Sequence, residues 1–175
     1  MIYEVDIAGK VHKLELLREG SEWRCKLNGS EVAVDAVPTR ENVLSLLIGG
    51  KSDQELCRRI ATGIGPAALN LSGDLTLRQT VEALRRCALV VTNDSAPTHL
   101  GVAAGIRVLT LFGSTVPEYG FAPFGPRGRT LGIEIYCRPC TDHGRQDCPQ
   151  RHFRCLREIT PDRVLAEIRQ MLDNH

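Results

Sequence analysis

The spacing of hydrophobic and polar residues divides the chain into two halves. Over residues 1–48 the two classes alternate with the period of two that is typical of half-buried strands, in the segments IYEVDI, VHKLELL, WRCKL and EVAVDAV. Asn28 and Gly29 are the residues that a two-residue hairpin turn favours, because both positions must take positive φ. The pattern predicts an antiparallel β-meander of about four short strands, with NVLSLLI as a fifth.

From residue 49 onward, helical periodicity alternates with short apolar runs. Helices are predicted at SDQELCRRIAT, at TLRQTVEALRRC with Thr76 as its cap, from Pro97 to about Ala104, and at ITPDRVLAEIRQML. The runs AALNL, ALVVT and VLTLF are predicted to be buried strands of a parallel sheet, which makes the fold class α/β. We therefore expect two domains, a β-meander over residues 1–48 and an α/β domain over residues 49–175.

Composition and charge narrow the class of protein. Hydrophobic residues make up 42% of the chain and charged residues 25%, and the formal net charge is +1. This balance gives no electrostatic reason to expect nucleic acid or an anionic membrane surface as a partner. The apolar runs are far shorter than a bilayer-spanning helix requires, and the N-terminus MIYEVDIAGK lacks the features of a signal peptide. We expect a cytoplasmic protein with no membrane span.

The segment VVTNDSAPTHLGVAAGIRVLTLFGST, residues 90–115, contains the strongest candidate for a binding site. Ligands of parallel α/β sheets bind beyond the carboxyl ends of the strands, and the free N–H groups of a helix N-terminus suit phosphate. Asp94 and Ser95 lie at such a corner, with His99 one turn into the helix and a second polar loop, FGST, after the next strand. The arrangement favours a diphosphate site. An ordinary helix cap at Asp94 or Ser95, with a buried His99, is the alternative that the residues leave equally open.

The same segment resembles the C-terminal domain of the family 9 glycosyltransferases, the ADP-heptose:lipopolysaccharide heptosyltransferases. Further matching blocks are IGGKSDQELCRRIA, NLSGDLTLRQTVEALRRCALVV, APFGPRGRTL and CRPC…DCP…RCLREITPDRVLAEI, which together cover roughly residues 47–175. The resemblance implies a partial Rossmann-like sheet, the nucleotide-sugar-binding half of a GT-B fold. It also implies seven residues that line the pocket for the diphosphate and sugar of an ADP-sugar: Asp94, Ser95, Ala96, His99, Gly113, Ser114 and Thr115.

Two departures from the family limit the function that the resemblance implies. Val116 stands in GSTVP where the family more often has the acidic residue of GPTDP, and the family's acceptor-binding domain, with its general base, has no counterpart in these residues. Inverting glycosyl transfer needs a base on the acceptor hydroxyl as well as stabilisation of the leaving diphosphate. We therefore expect a nucleotide-sugar-binding domain without catalytic residues or cofactor, which needs an acceptor-domain partner or a homo-oligomer for activity. A non-catalytic, chimeric structural or interaction module is the alternative.

Two further motifs carry less weight. Residues 1–48 resemble, less closely, the β-rich segment before the biotinyl domain of biotin-dependent carboxylases. A biotin-carrier function is excluded, because Met1 and Met171 are the only methionines and neither adjoins a lysine. The sequence GGKS at 49–52 is not a P-loop, since Ser45 occupies the position of its first glycine.

Four of the seven cysteines lie within nineteen residues, in the pattern C-x2-C-x7-C-x6-C. Four thiolates at such short range could bind zinc, with His143 or His152 as substitute ligands. Only the first pair has the close spacing that zinc sites usually show, so reduced thiols or a disulfide are the favoured alternatives and no metal is assigned. The candidate zinc ligands are Cys137, Cys140, Cys148 and Cys155. The remaining Cys25, Cys57 and Cys87 are predicted to be small buried residues.

Overall fold

The computed structural model describes residues 2–7, 10–19, 22–32, 44–144 and 147–173. These residues belong to two compact units, residues 1–73 and residues 74–175. Each unit has sheets of its own.

The first unit begins with the antiparallel meander that the sequence predicts. Its strands pair in chain order, each antiparallel to the next. They are β1 (Ile2–Ile7), β2 (Lys10–Glu19), β3 (Glu22–Leu27) and β4 (Ser30–Val32). Asn28 and Gly29 have φ values of 52° and 84°, which confirms the predicted hairpin turn between β3 and β4. The rest of the predicted fourth strand, beyond Val32, lies outside the described residues.

The prediction of a fifth meander strand at NVLSLLI is wrong. This segment forms β5 (Ser45–Leu47), which pairs in parallel with β6 (Ala68–Asn70) instead of joining the meander. The physical reason is visible at residues 46–48, because three successive apolar residues without alternation suit a parallel sheet better than a one-sided antiparallel sheet. Helix α1 (Gln54–Ile64) connects the two strands, and Cys57 is its buried residue, as predicted for that cysteine.

The second unit is built on a parallel sheet of three strands in chain order. The strands are β7 (Leu89–Asn93), β8 (Arg107–Leu111) and β9 (Gly128–Leu131). The helices of this unit are α2 (Leu77–Leu84), α3 (Ala96–Ala104), α4 (Arg154–Arg157) and α5 (Pro161–Asp173). The α/β class with parallel sheets is therefore confirmed, whereas the sequence pattern does not predict β9.

The cap residues explain where the helices of this unit begin and end. The Thr76 hydroxyl accepts the Gln79 N–H, and the Gln79 side-chain carbonyl accepts the Thr76 N–H at 2.9 Å, a capping box that confirms the predicted start of α2. Gly105 ends α3 in the left-handed conformation, with φ of 75°, as the sequence predicts.

The hydrophobic core of the second unit lies between the sheet and α5. Leu109 of β8 is fully buried and packs with Leu131 of β9 and Met171 of α5. Partly buried side chains pack around these three: Leu89, Leu111, Ile159, Val164 and Ile168. Within the residues that the structure describes, no helix combines the length and the hydropathy needed to cross a membrane.

Candidate functional site

Asn93, Asp94 and Ser95 form the corner between β7 and α3. Asn93 is the last residue of β7, and Ser95 occupies the N-cap position of α3. The Ser95 hydroxyl donates to the Asn93 side-chain oxygen at 2.8 Å and makes no capping hydrogen bond to the helix. The alternative in which the Ser95 side chain serves as an ordinary cap is therefore wrong, and that hydroxyl does not satisfy the N–H groups at the start of α3.

Helix α3 approaches the sheet closely, because a glycine faces it. A Cβ atom on Gly101 would lie only 2.7 Å from Cγ1 of Val90 and 2.8 Å from Cγ2 of Val108. Nearer the start of the helix, the buried hydroxyls of Thr98 and Thr110 lie 3.1 Å apart and share a hydrogen bond. These contacts hold α3 against β7 and β8.

The loop Gly113–Thr115 follows β8 and lies beside the corner, as the order of strands predicts. The Thr115 hydroxyl donates to the Asp94 carboxylate at 2.5 Å, the short length expected when the acceptor is charged. The Asp94 N–H donates to the Leu111 carbonyl at the end of β8, at 3.1 Å. Thr115 is buried, with 3% of its surface exposed. The two loops thus form one polar edge beyond the carboxyl ends of β7 and β8.

The other predicted site residues differ in their exposure to solvent. Ala96 and His99 are exposed on α3, so the alternative of a buried His99 is wrong. Gly113 is buried, and Ser114 is partly buried. The structure thus joins Asp94 directly to Thr115, while the His99 side chain is exposed to solvent on α3.

Ser114 also lines a cavity of about 330 Å³, together with His152 and all four clustered cysteines, Cys137, Cys140, Cys148 and Cys155. The six cysteines whose side chains are described are free thiols, so the disulfide alternative is not found among them. Cys137 Sγ lies 3.8 Å from Nε2 of His152. In the described part of the chain, no three His, Cys, Asp or Glu side chains form a group placed to hold a metal ion, so zinc at these cysteines stays an alternative without support from the geometry.

Two of the clustered thiols differ in acidity. The Phe153 N–H donates to Cys148 Sγ at 3.4 Å, and hydrogen bonds from this and neighbouring backbone groups lower the pKa of the Cys148 thiol below its ordinary value. Burial raises the pKa of the Cys155 thiol, and the neighbouring cysteines raise it further. Cys148 is therefore the more readily ionised of the two.

Sequence reasoning missed the residues that hold the Gly113–Thr115 loop from its other side. Arg138 Nε donates to the Thr115 carbonyl at 2.8 Å, and the Cys140 N–H donates to the Ser114 carbonyl at 3.1 Å. Arg138 follows Thr115 by 23 residues, and no local pattern connects the two positions. Only the fold reveals this contact.

Comparison with known proteins supplies a family and several relatives. The family model for glycosyltransferase family 9 (heptosyltransferase) matches residues 33–149. Lipooligosaccharide heptosyltransferase 2 of Campylobacter jejuni is 26% identical over 128 residues, which are 71% of this chain and 39% of that protein.

Solved structures agree with the sequence comparison. The ADP-heptose lipopolysaccharide heptosyltransferase II of Escherichia coli has a TM-score of 0.61 and 26% identity, over 75% of this chain and 37% of its own. The iron-containing dodecameric glycosyltransferase TibC of enterotoxigenic E. coli H10407 shares the fold, with a TM-score of 0.53 and 18% identity, over 81% of this chain and 49% of its own. The chain thus spans less than two fifths of the length of the Campylobacter relative.

Proposed function

The chain belongs to glycosyltransferase family 9, and from this membership we propose that it binds the nucleotide-sugar donor of a heptosyltransferase-type reaction. The donor is an ADP-heptose or a close analogue, as the name of the E. coli relative suggests. The seven residues proposed to line its site are Asp94, Ser95, Ala96, His99, Gly113, Ser114 and Thr115.

The observation that carries this proposal is the direct contact between the two loops. The Thr115 hydroxyl binds the Asp94 carboxylate at 2.5 Å, which places the corner and the Gly113–Thr115 loop at one edge of the sheet. Helix α3 begins at the same corner, and the Ser95 hydroxyl donates to the Asn93 side chain instead of capping the helix. Helix N–H groups carry partial positive charge and suit the diphosphate of the donor.

We propose different roles for His99 and Asp94 at this edge of the sheet. His99 is exposed on α3 and is suited to donate a hydrogen bond to the diphosphate. The Asp94 carboxylate repels phosphate, so its proposed role is to orient Thr115 and to accept hydrogen bonds from sugar hydroxyls. Val116 offers no polar group, so the sugar-side contacts differ from those of the relatives with an acidic residue there.

Complete glycosyl transfer is proposed to require an acceptor-binding domain and a general base in addition to the groups of this donor edge. The chain spans 39% of the Campylobacter relative and 37% of the E. coli structure. No cofactor is proposed, since diphosphate is a leaving group that hydrogen bonds can stabilise. We also propose a cytoplasmic location and a domain boundary near residues 48 and 49. The resemblance of the meander to a segment of biotin-dependent carboxylases remains a proposal as well.

A titration with ADP, followed by amide chemical shifts, tests the donor site. Saturable shifts at Ser95, Ala96 and Thr115 are expected at millimolar ADP or below. Replacing His99 by Ala should weaken binding about tenfold, the loss expected for one hydrogen bond to a charged group. His143→Ala, which removes an exposed histidine outside the corner, is the matched control and should leave ADP affinity unchanged. No shifts at the corner would refute the donor site and favour the structural or interaction module.

A further inference from the structure

The Gly113–Thr115 loop, whose Thr115 binds Asp94, is contacted by the cysteine-containing segment, residues 137–156. All three residues of the loop are contacted. A Cβ atom on Gly113 would lie 2.7 Å from Cδ2 of Leu156, the Ser114 carbonyl accepts the Cys140 N–H, and the Thr115 carbonyl accepts Nε–H of Arg138. Of these contacts, only the one from Arg138 uses a charged side chain.

Arg138 joins the loops that follow two neighbouring strands. While Nε binds the Thr115 carbonyl after β8, Nη1 donates to the Ile133 carbonyl after β9. A planar guanidinium presents its N–H groups in a fixed fork, so binding one carbonyl fixes the direction toward the other. Lysine, with a single nitrogen on a flexible stem, cannot reproduce this geometry.

The space for the guanidinium depends on Gly132. A Cβ atom at this position would lie 2.7 Å from Nη1 and 2.9 Å from Nη2 of Arg138. The glycine has no positive φ, so alanine is compatible with its backbone and would act mainly by displacing the guanidinium. The site therefore offers a substitution that disturbs Arg138 without removing it.

We propose that Arg138 is a positioning residue for the donor site. By fixing the Thr115 carbonyl, it fixes the backbone from which the Thr115 hydroxyl reaches Asp94. Nε and Nη1 both donate to carbonyl oxygens of the protein, so the proposed role of Arg138 is exerted through the loop. The inference rests on the proposed function only for its effect on ADP, since its effect on the loop needs no ligand.

The first test compares variants without ligand. Arg138→Ala and Gly132→Ala should shift the amide signals of Asp94, Ser95 and Thr115 and speed hydrogen exchange in the Gly113–Thr115 loop. Arg127→Ala is the matched control, because Arg127 also donates to a backbone carbonyl, that of Gly105, outside this loop. Unchanged signals at residues 94–95 and 113–115 in Gly132→Ala and in folded Arg138→Ala would overturn the proposal.

The second test measures ADP affinity in the same variants. Arg138→Ala should bind ADP about tenfold more weakly, Arg138→Lys should recover only part of that loss, and Arg127→Ala should match the unaltered chain. Millimolar guanidinium chloride should restore ADP binding to Arg138→Ala, while ammonium chloride should not, an effect that general damage to the fold would not produce. Equal affinity in Arg138→Ala and the unaltered chain would overturn the positioning role, whereas absence of ADP binding to the unaltered chain would refute the donor site instead.

Discussion

At the scale of single residues, the hydrogen-bond partners of a polar side chain show whether it serves as a helix cap. The sequence leaves Ser95 and Asp94 open as helix caps or as ligand contacts. The structure turns Ser95 toward Asn93 and joins Asp94 to Thr115, which leaves neither side chain as a simple cap. The same reasoning separates the cysteines, because Cys148 receives backbone N–H groups whereas Cys155 is buried.

We expect Cys148 to be the first of the clustered thiols to react with a disulfide reagent. Its lowered pKa keeps a larger fraction as thiolate near neutral pH, and its rate should fall only at a more acidic pH than that of an ordinary cysteine. Cys148→Ser should abolish the fastest phase of the reaction of the native chain with DTNB. Cys57→Ser, at a buried position in α1, should leave that phase unchanged.

The same measurement separates free thiols from the alternative of a zinc site. Protection of all four clustered cysteines until a chelator is added, with one equivalent of zinc released, would contradict the expected fast reaction of Cys148. It would also establish the zinc site that the cysteine spacing leaves open.

At the scale of elements, the approach of α3 to the sheet depends on the absence of one side chain. We expect Gly101→Ala to destabilise the chain by about 1–3 kcal/mol, because its Cβ would overlap Val90 and Val108 and force α3 away from β7 and β8. Gly63→Ala is the matched control. Gly63 lies within α1, and a Cβ atom there would meet nothing within 4 Å beyond the backbone of its own helix, so alanine should stabilise by up to about 1 kcal/mol. Urea unfolding of both variants measures the two effects, and equal effects of the same sign would contradict this account.

How well each element could be predicted depends on whether its determinants are local. The start of α2 follows from Thr76 and the end of α3 from Gly105, because both residues act within one turn of the helix. The sequence predicts both. The pairing of β5 with β6 and the presence of β9 depend on strand partners distant in sequence, and the sequence pattern misses them. The candidate site divides in the same way. Asp94 and Thr115 can be brought together from the sequence because they lie in the loops that follow neighbouring strands. The contact between Arg138 and the Thr115 carbonyl depends on the folded path of the chain after β9.

At the scale of the whole molecule, the chain combines two units with different kinds of sheet. The antiparallel meander lies within residues 1–73, while the candidate donor site lies wholly within residues 74–175. The contacts that join Asp94, Thr115 and Arg138 are internal to the second unit, so substitutions within that unit test the proposed donor site.

We expect these 175 residues to bind ADP-heptose without transferring the sugar. The donor edge supplies groups for the diphosphate, but inverting transfer also needs a base positioned on the acceptor hydroxyl, and proximity of the two substrates contributes much of the rate. The measurement is acceptor-dependent release of ADP, with purified lipopolysaccharide inner core as acceptor and the full-length Campylobacter heptosyltransferase 2 as positive control. A mixture of this chain with the isolated acceptor-binding half of that relative would reveal complementation. Acceptor-dependent ADP release by this chain alone, absent from its His99→Ala variant, would contradict the expectation and place a complete active site within these residues.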